Sequence, residues 1–339
     1  MNLPPVCFDH LATMTTNLGL YEHARLTRAR RSGGYCLDDV ARALVLTGRH
    51  GQPTDLTLSL TACYLNFVEG AHDGNGRFRN RRRPDGSWAG AANTKDHWGR
   101  AMWGLGTTAA AGPTEDVRTR ARTLAEIGMV ARSPSLRAMA YAAVGAFAIL
   151  QVDPGNRPAL GLLHDTRELI GRAVTTAGWP WPEAHLAYAN ALIPEAMLVI
   201  GAGLGDDDVL HRGLSLLGWL VDLQTLDGHL SVVPVGGWRP GDAPPGFDQQ
   251  PIEVSSLAEA AWRALAITGA SRWARVLDLC AGWFLGANDS GSALYDPGTG
   301  GGFDGLLQHD VNRNQGAEST LAALTTLQLA HLTQQVPAR

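Results

Sequence analysis

One pattern constrains this chain more than any other. A polar cluster followed by a helix rich in Ala, Gly and Leu occurs six times. The six copies are "DDVARALVL" from Asp38, "DHWGRAMWGLG" from Asp96, "SLRAMAYAAVGAFAIL" from Ser135, "AYANALIPEAMLVIGAG" from Ala187, "EVSSLAEAAWRALAITG" from Glu253 and "AESTLAALTTLQLA" from Ala317. With Asp39 and Glu318 as first and last markers the unit returns about every 56 residues, the length of two helices and a loop. Such a period marks stacked units, each too small to bury its own apolar face.

Between these copies lie amphipathic segments with ordinary charge, at 6–18, 54–70, 114–130, 159–174, 206–223 and 271–286. Thr54 with Asp55, Thr114 with Glu115 and Asp116, and Asp206 read as N-caps with acidic first turns. Gly48, Gly201 and Gly269 read as helix ends. The small-residue set, poor in charge, suits helices buried on most sides, and the other set suits an outer layer. A straight solenoid would carry polar caps at both ends. Here the last helix, 317–330, is as apolar as the other inner ones, and 6–18 can serve as an outer partner. The expectation is an all-α fold: an (α/α)6 toroid of six helical hairpins, one domain over 1–339.

The connections are unequal. Inner-to-outer links such as 49–53 and 269–270 are short, whereas the outer-to-inner links 19–37, 71–95, 224–252 and 287–316 are long. Long loops in compact domains are usually functional or disordered, and these are rich in Trp, Gly, Asp and Asn. They gather on the face where the inner helices begin, which should carry the site. Short β-hairpins such as "HLSVVPVGGW" (229–238) would fit within them.

Bulk properties remove other classes. The chain has 339 residues, 45 % hydrophobic and 18 % charged, enough for a large core. A net charge of -4 gives no general attraction to nucleic acid or anionic membranes, and the basic run "RFRNRRRPDGSW" (77–88) reads as a solvated loop. Cys7, Cys36, Cys63 and Cys280 are far apart, with no C-x-x-C, so neither a disulfide framework nor a zinc site is expected. No basic-then-apolar leader opens the sequence, and no apolar stretch reaches the roughly 18 residues of a membrane span. The expectation is a reduced, cytoplasmic, soluble protein without membrane insertion.

Asp38 and Asp39 stand side by side at the start of an inner helix, where the partial positive charge of a helix N-terminus favours carboxylates. Capping alone does not explain why five of the six helix starts bring such groups to one cavity. Asp38, Asp39, Asp96, Asn190, Glu253 and Glu318 begin the inner helices, and Glu183, Gln250, Asp304, Asn314 and Gln315 precede them. Trp98, Trp181 and Tyr188 fall in the same loops or first turns. Carboxylates and amides that hold hydroxyls, beside flat aromatic faces, match the needs of a sugar. Glycoside cleavage needs one protonated and one ionised carboxyl across the scissile bond, and crowded, partly dry acids can keep one proton near neutral pH. Asp38, Asp39, Asp96 and Glu253 are therefore the candidate catalytic acids. Trp98, Trp181, Glu183, Tyr188, Asn190, Gln250, Asp304, Asn314, Gln315 and Glu318 are the candidate substrate-binding residues. No P-loop, dinucleotide fingerprint, G-x-S-x-G elbow or H-E-x-x-H is present, so no cofactor and no metal are expected.

The stretches "GYCLDDVARAL", "QQPIEVSSLAEAAWRAL" and "NDSGSALYDPGTGGGFDGLLQHDVNRNQGAESTLAAL" resemble the (α/α)6 glycosidase-like proteins and domains found beside or fused to bacterial glycosyltransferases, and more broadly six-hairpin glycosidases. The resemblance runs from about Pro5 to Leu332. It implies carbohydrate chemistry in the central cavity, a carbohydrate substrate and a functional link to a glycosyltransferase. In that pattern Asn usually follows the paired acids, where this chain has Val40. Adjacent Asp-Asp pairs also occur in six-hairpin α-mannanases, which points by analogy to mannose-containing glycans. The leading expectation is a glycoside hydrolase working through two carboxyls. A sugar epimerase or lyase using Arg100, Arg137 or Arg313, and a non-catalytic glycan-binding partner of a glycosyltransferase, are the alternatives.

Overall fold

Small side chains let helices meet backbone to backbone, and the alanine- and glycine-rich segments do so here. The computed structural model describes residues 2–171, 178–242 and 246–334. Among the described residues twelve helices follow one another: α1 (Asp9–Met14), α2 (Leu37–Gly48), α3 (Asp55–Ala71), α4 (Asp96–Ala111), α5 (Glu115–Gly128), α6 (Leu136–Leu150), α7 (Arg157–Gly171), α8 (Leu192–Leu204), α9 (Asp207–Leu223), α10 (Pro251–Thr268), α11 (Arg272–Phe284) and α12 (Ala317–Gln334). The even-numbered helices pack side by side in chain order, and α12 closes on α2. Each is backed by an odd-numbered partner: α3 on α2, α5 on α4, α7 on α6, α9 on α8, α11 on α10 and α1 on α12. The fold is an (α/α)6 toroid, as the repeat predicts.

The inner ring depends on glycine where the helices touch. A Cβ on Gly106 of α4 would lie 2.1 Å from the Gly145 carbonyl oxygen of α6, and one on Gly104 would lie 2.8 Å from that of Ala41 on α2. Outer helices start where side chains satisfy the free N–H groups. The Thr54, Thr114 and Asp206 side chains accept from the amides of Thr57, Val117 and Val209 at 3.3, 3.3 and 3.1 Å.

Several boundaries differ from the sequence expectation. α1 stops at Met14, because Thr15 turns its hydroxyl onto the Leu11 carbonyl and pairs in extended form with Leu20. α8 begins at Leu192 rather than Ala187; Ala189 sits at φ 44°, and Pro194 fits only the first turn. Gly201 lies inside α8 rather than ending it, and Gly205, at φ 66°, is the terminator. The hairpin expected at 229–238 forms earlier, between Thr225–Leu226 and His229–Leu230. The outer segment expected at 159–174 begins at Arg157, and its residues 172–174 lie outside the described residues.

The long connections 15–36, 72–95, 224–250 and 285–316 cover the end of the ring where the even helices start. They fold into small antiparallel pairs. A three-stranded piece joins Tyr35–Cys36, Arg81–Arg82 and Trp88–Ala89, and Ala24–Arg25 pairs with Arg28–Ala29. No helix among the described residues is long and apolar enough to cross a membrane.

The backbone contact of α4 with α6 gives a direct test. Gly106→Ala should destabilise the chain by about 1 to 3 kcal/mol in chemical denaturation, the usual cost of overpacking a tight core. Gly51→Ala, whose Cβ would meet nothing within 4 Å, should be close to neutral.

Candidate active site

At the mouth of the ring lies a cavity of about 420 Å³, within the roughly 300–1,000 Å³ typical of ligand sites. Its lining comes from four inner helices, the loops before them and the loop before α8. α2 supplies Asp38, Asp39 and Arg42, α4 supplies Arg100, α10 supplies Pro251, and α12 supplies Glu318 and Ser319. Glu22, Arg81, Tyr188, Gln250 and Asp304 come from the loops.

Neither aspartate of the opening pair caps its helix; Cys36 holds the N-cap position and no side chain caps α2. Both carboxylates turn instead to arginines. Asp38 Oδ1 accepts from Arg100 Nη1 at 2.5 Å, and its Oδ2 accepts from Asn80 Nδ2 at 2.9 Å. Asp39 Oδ1 accepts from Arg42 Nη1 at 2.8 Å. Arg42 Nη2 also reaches Glu318 Oε2 at 2.9 Å and the Tyr188 hydroxyl at 2.5 Å. Arg100 donates to the same hydroxyl and stacks over the Tyr141 ring, its guanidinium carbon 4.7 Å from the centroid.

This wiring splits the two acids. Burial would raise the Asp38 carboxyl, but the Arg100 and Arg42 charges and the Asn80 hydrogen bond override it and hold the group at about 2. Asp39 is deeper. Burial dominates there, Arg42 only partly opposes it, and Glu318 and Asp38 add repulsion, so the carboxyl is pushed up to about 7. Asp304 is also raised, by burial, against hydrogen bonds from Ser319 and the Gly316 amide.

Glu22, Cys36 and Asp39 bring one ligand-type atom each within 4.8 Å of one another. The Cys36 thiol is pushed well up, first by burial and then by Asp39 and Asp38, and its sulfur lies 3.4 Å from both Asp38 Oδ2 and Asn80 Oδ1, either of which can accept its one proton. Glu22 is held by Arg81. A thiol kept protonated, between acids already paired with arginines, suits a hydrogen-bonded wall better than a metal site.

The structure sorts the sequence candidates. Asp38, Asp39, Tyr188, Gln250, Asp304 and Glu318 line the cavity. Gln250 has a side-chain amide without a hydrogen bond to any described residue. Asp96 does not line it; its Oδ1 accepts from Ser135 Oγ at 3.0 Å, bracing α4 against the start of α6. Glu253 lies buried behind Asn190, whose Nδ2 donates to Glu253 Oε2 at 2.8 Å, and burial pushes this carboxyl up to about 7. Glu183 is clamped by Arg137 at 3.2 and 2.5 Å. Asn314 holds the Leu26 amide at 2.9 Å, and Gln315 is buried between Thr299 and Asp296. The two expected tryptophan platforms are corrected outright: Trp98 and Trp181 are both 0 % exposed. Trp98 donates to the Gly128 carbonyl, and Trp181 stacks on Trp219 with centroids 6.1 Å apart. Reading the sequence missed Arg42, Glu22, Arg81 and Asn80 as parts of the site, and missed Arg100 as the partner of Asp38.

No protein-family model and no curated protein matches the chain. Solved structures do share its shape. A sugar epimerase from a ruminal bacterium is 12 % identical, with TM-score 0.70 over 97 % of this chain and 95 % of that one. Cellobiose 2-epimerase from Bacillus thermoamylovorans B4167 is 10 % identical, with TM-score 0.71 over 95 % of each chain. An inactive α-1,6-mannanase of Salegentibacter sp. HEL1_6, solved with α-1,6-mannotetrose, is 10 % identical, with TM-score 0.64 over 96 % of each. At these identities the likeness establishes the (α/α)6 fold.

The raised carboxyls predict an unusual pH response. Asp39 and Glu253 at about 7, and Glu195 at about 8 through burial and Glu259, keep protons that the unfolded chain releases near pH 4. The native state binds more protons in that window, so stability falls as pH rises from about 4 to about 7. Asp38 acts oppositely: its contribution is full above its unfolded value and is lost as pH falls through about 2. In thermal denaturation Asp39→Asn should therefore gain on the parent by about 2 kcal/mol between about pH 5 and about pH 8.

Proposed function

We propose that the protein is a glycoside hydrolase acting on a glycan in the mouth cavity, with Asp39 as proton donor and Asp38 as the ionised carboxylate. The observation that carries this reading is the split pair: two adjacent carboxyls in one cavity, one held at about 2 and the other at about 7. Divided environments of this kind assign acid and base roles. Asp39 would protonate the glycosidic oxygen as the bond to the anomeric carbon breaks. Asp38 would stabilise or capture the positively charged sugar, and water would complete the cleavage. As Asp39 loses its proton to the leaving group, Arg42, already bonded to it, compensates the new charge. Glu318, half-buried and sharing Arg42, and the unengaged amide of Gln250 are placed to meet sugar hydroxyls.

The fold supports this reading through its neighbours. The solved α-1,6-mannanase was made inactive by replacing two consecutive aspartates and was captured with α-1,6-mannotetrose. This chain also carries a consecutive pair, at the opening of an inner helix and lining the cavity. We therefore take mannose-containing glycans as the first substrates to examine. A second reading, sugar epimerisation, draws on the likeness to two epimerases and on His23 at the cavity edge, 3.7 Å from Glu22. Either activity would be consistent with the functional link to a glycosyltransferase that the resemblance implies.

Incubation with α-mannan oligosaccharides and a broader glycan panel should release new reducing ends, with products heavier in total by one water per bond. Asp38→Asn and Asp39→Asn should each lower kcat by on the order of 10² to 10⁴-fold. The kcat/KM profile should fall on its alkaline side near pH 7, where Asp39 loses its proton. Products isomeric with the substrate would select epimerisation, and full activity in both variants would remove the hydrolase assignment.

A further inference from the structure

The loop between the cavity-lining residues His23 and Cys36 carries positive charge that the acid chemistry does not use. In the Ala24–Arg25/Arg28–Ala29 hairpin, Arg25 stands directly opposite Arg28, and both are exposed. Like charges in that position repel. Arg30 and Arg31 follow, also exposed. Among the described residues, none of these four guanidinium groups has an ion pair or a side-chain hydrogen bond. The hairpin tip is strained as well: Leu26 sits at φ 52° and is 57 % exposed.

This segment is fixed to the site. Asn314 Oδ1 accepts from the Leu26 amide and the Leu26 carbonyl accepts from the Gln315 amide, both at 2.9 Å. The Glu22 carbonyl accepts from the Ala317 amide at 3.1 Å, one residue before the cavity acid Glu318. Arg79, whose guanidinium has no ion pair or hydrogen bond among the described residues, lies two residues before Arg81, which lines the cavity. The Arg30 amide donates to the carbonyl of the cavity residue His23 at 2.7 Å, so four unpaired arginines sit in the loop between two lining residues, His23 and Cys36, of a chain whose net charge is -4. The acids below are engaged elsewhere: Asp38, Asp39 and Glu318 with Arg100 and Arg42, Glu22 with Arg81, and Asp304 with Ser319 and the Gly316 amide.

We infer that the glycan taken by this cavity bears an anionic substituent, a carboxylate, phosphate or sulfate on a sugar, held at the rim by Arg25, Arg28, Arg30 and Arg31. The inference rests on the glycan reading above and adds the charge of the substrate. The planar fork of arginine suits bidentate recognition of such groups. A saccharide with isolated charges fits better than a nucleic acid, because the four arginines are confined to residues 25–31 beside a cavity of about 420 Å³.

The test measures binding apart from turnover. The full chain is titrated calorimetrically with one mannose oligosaccharide in four forms: neutral, uronate-bearing, phosphorylated and sulfated. At low salt one charged form should bind about tenfold tighter than the neutral form, and the gap should close as salt rises. The double variant Arg25→Gln/Arg28→Gln should lose that gap while keeping its affinity for the neutral form. Should its melting temperature drop, Arg30→Gln/Arg31→Gln serves as the second variant. Equal affinity for all four forms, no binding of any, an unchanged gap in both variants, or equally tight capture of duplex DNA or anionic phospholipid vesicles would each overturn the inference. Charge-selective binding without cleavage would keep it and remove the hydrolase reading. Cleavage of neutral glycans alone, indifferent to these arginines, would do the reverse.

Discussion

The cavity depends on one buried guanidinium. Arg42 is 6 % exposed and reaches Asp39 on its own helix, Glu318 on α12 and the Tyr188 hydroxyl ahead of α8. It therefore joins the first and last inner helices at the seam where the ring closes, and it forms the floor of the mouth. A cation this deep is tolerated only with partners at good geometry. That demand explains why acids from distant stretches converge. They neutralise two inward-facing arginines, and the arrangement leaves one carboxyl, Asp39, short of the charge it would need to stay ionised.

The difference between Asp38 and Asp39 follows from helix geometry. Consecutive residues point about 100° apart, so the two side chains meet different neighbours. Asp38 faces Arg100 and Asn80 at the wall and is held as an anion. Asp39 faces inward, where it must share Arg42 with Glu318. The N-terminal field of α2 favours negative charge on both, but at Asp39 burial and the neighbouring carboxylates outweigh it. A second polar layer lies deeper. There Arg49 clamps Glu259 at 2.8 and 2.7 Å, and Glu195 is raised to about 8. The axis of the toroid is thus lined with partly compensated charge.

The fold was legible because its cause is written along the whole chain: inner helices that touch through Gly104 and Gly106 must be poor in bulk and charge, six times over. The face bearing the site was legible from loop length. Individual roles were harder. Asp96 and Glu253 occupy first turns, as Asp38 and Asp39 do, yet a rotation of one residue decides between the axis and a neighbouring helix. Asp96 meets Ser135, and Glu253 meets Asn190. Trp98 and Trp181 carried no mark separating a wall residue from a platform. A usable signal was passed over: "DDVARALVL" and "DHWGRAMWGLG" each contain one arginine in an otherwise uncharged helical run. A lone charge on a buried helix needs a partner, and the preceding acids were available. Glu22 and Asn80 reach the site through strand pairings between distant loops, which no local pattern discloses.

The composition of the lining bears on how any sugar could be held. No tryptophan is among the cavity-lining residues, and the ring of Tyr188 is already covered by Arg100, whose guanidinium carbon lies 5.4 Å from its centroid. Most polar groups there are already bonded to one another, and a neutral hydroxyl would mainly exchange existing hydrogen bonds for new ones, a change of small net gain. Gln250 is an exception on the cavity wall, and the rim arginines are the other. Binding energy is added most readily where groups are still unpaired, and around the cavity those groups include, among the described residues, Gln250 and the arginines of the 25–31 segment. On the proposed hydrolase reading, a substrate that supplies charge there would be anchored at one end while its glycosidic bond lies over the acids. Recognition and proton transfer would then be divided between two adjacent sets of residues, the rim arginines and the Asp38–Asp39 pair.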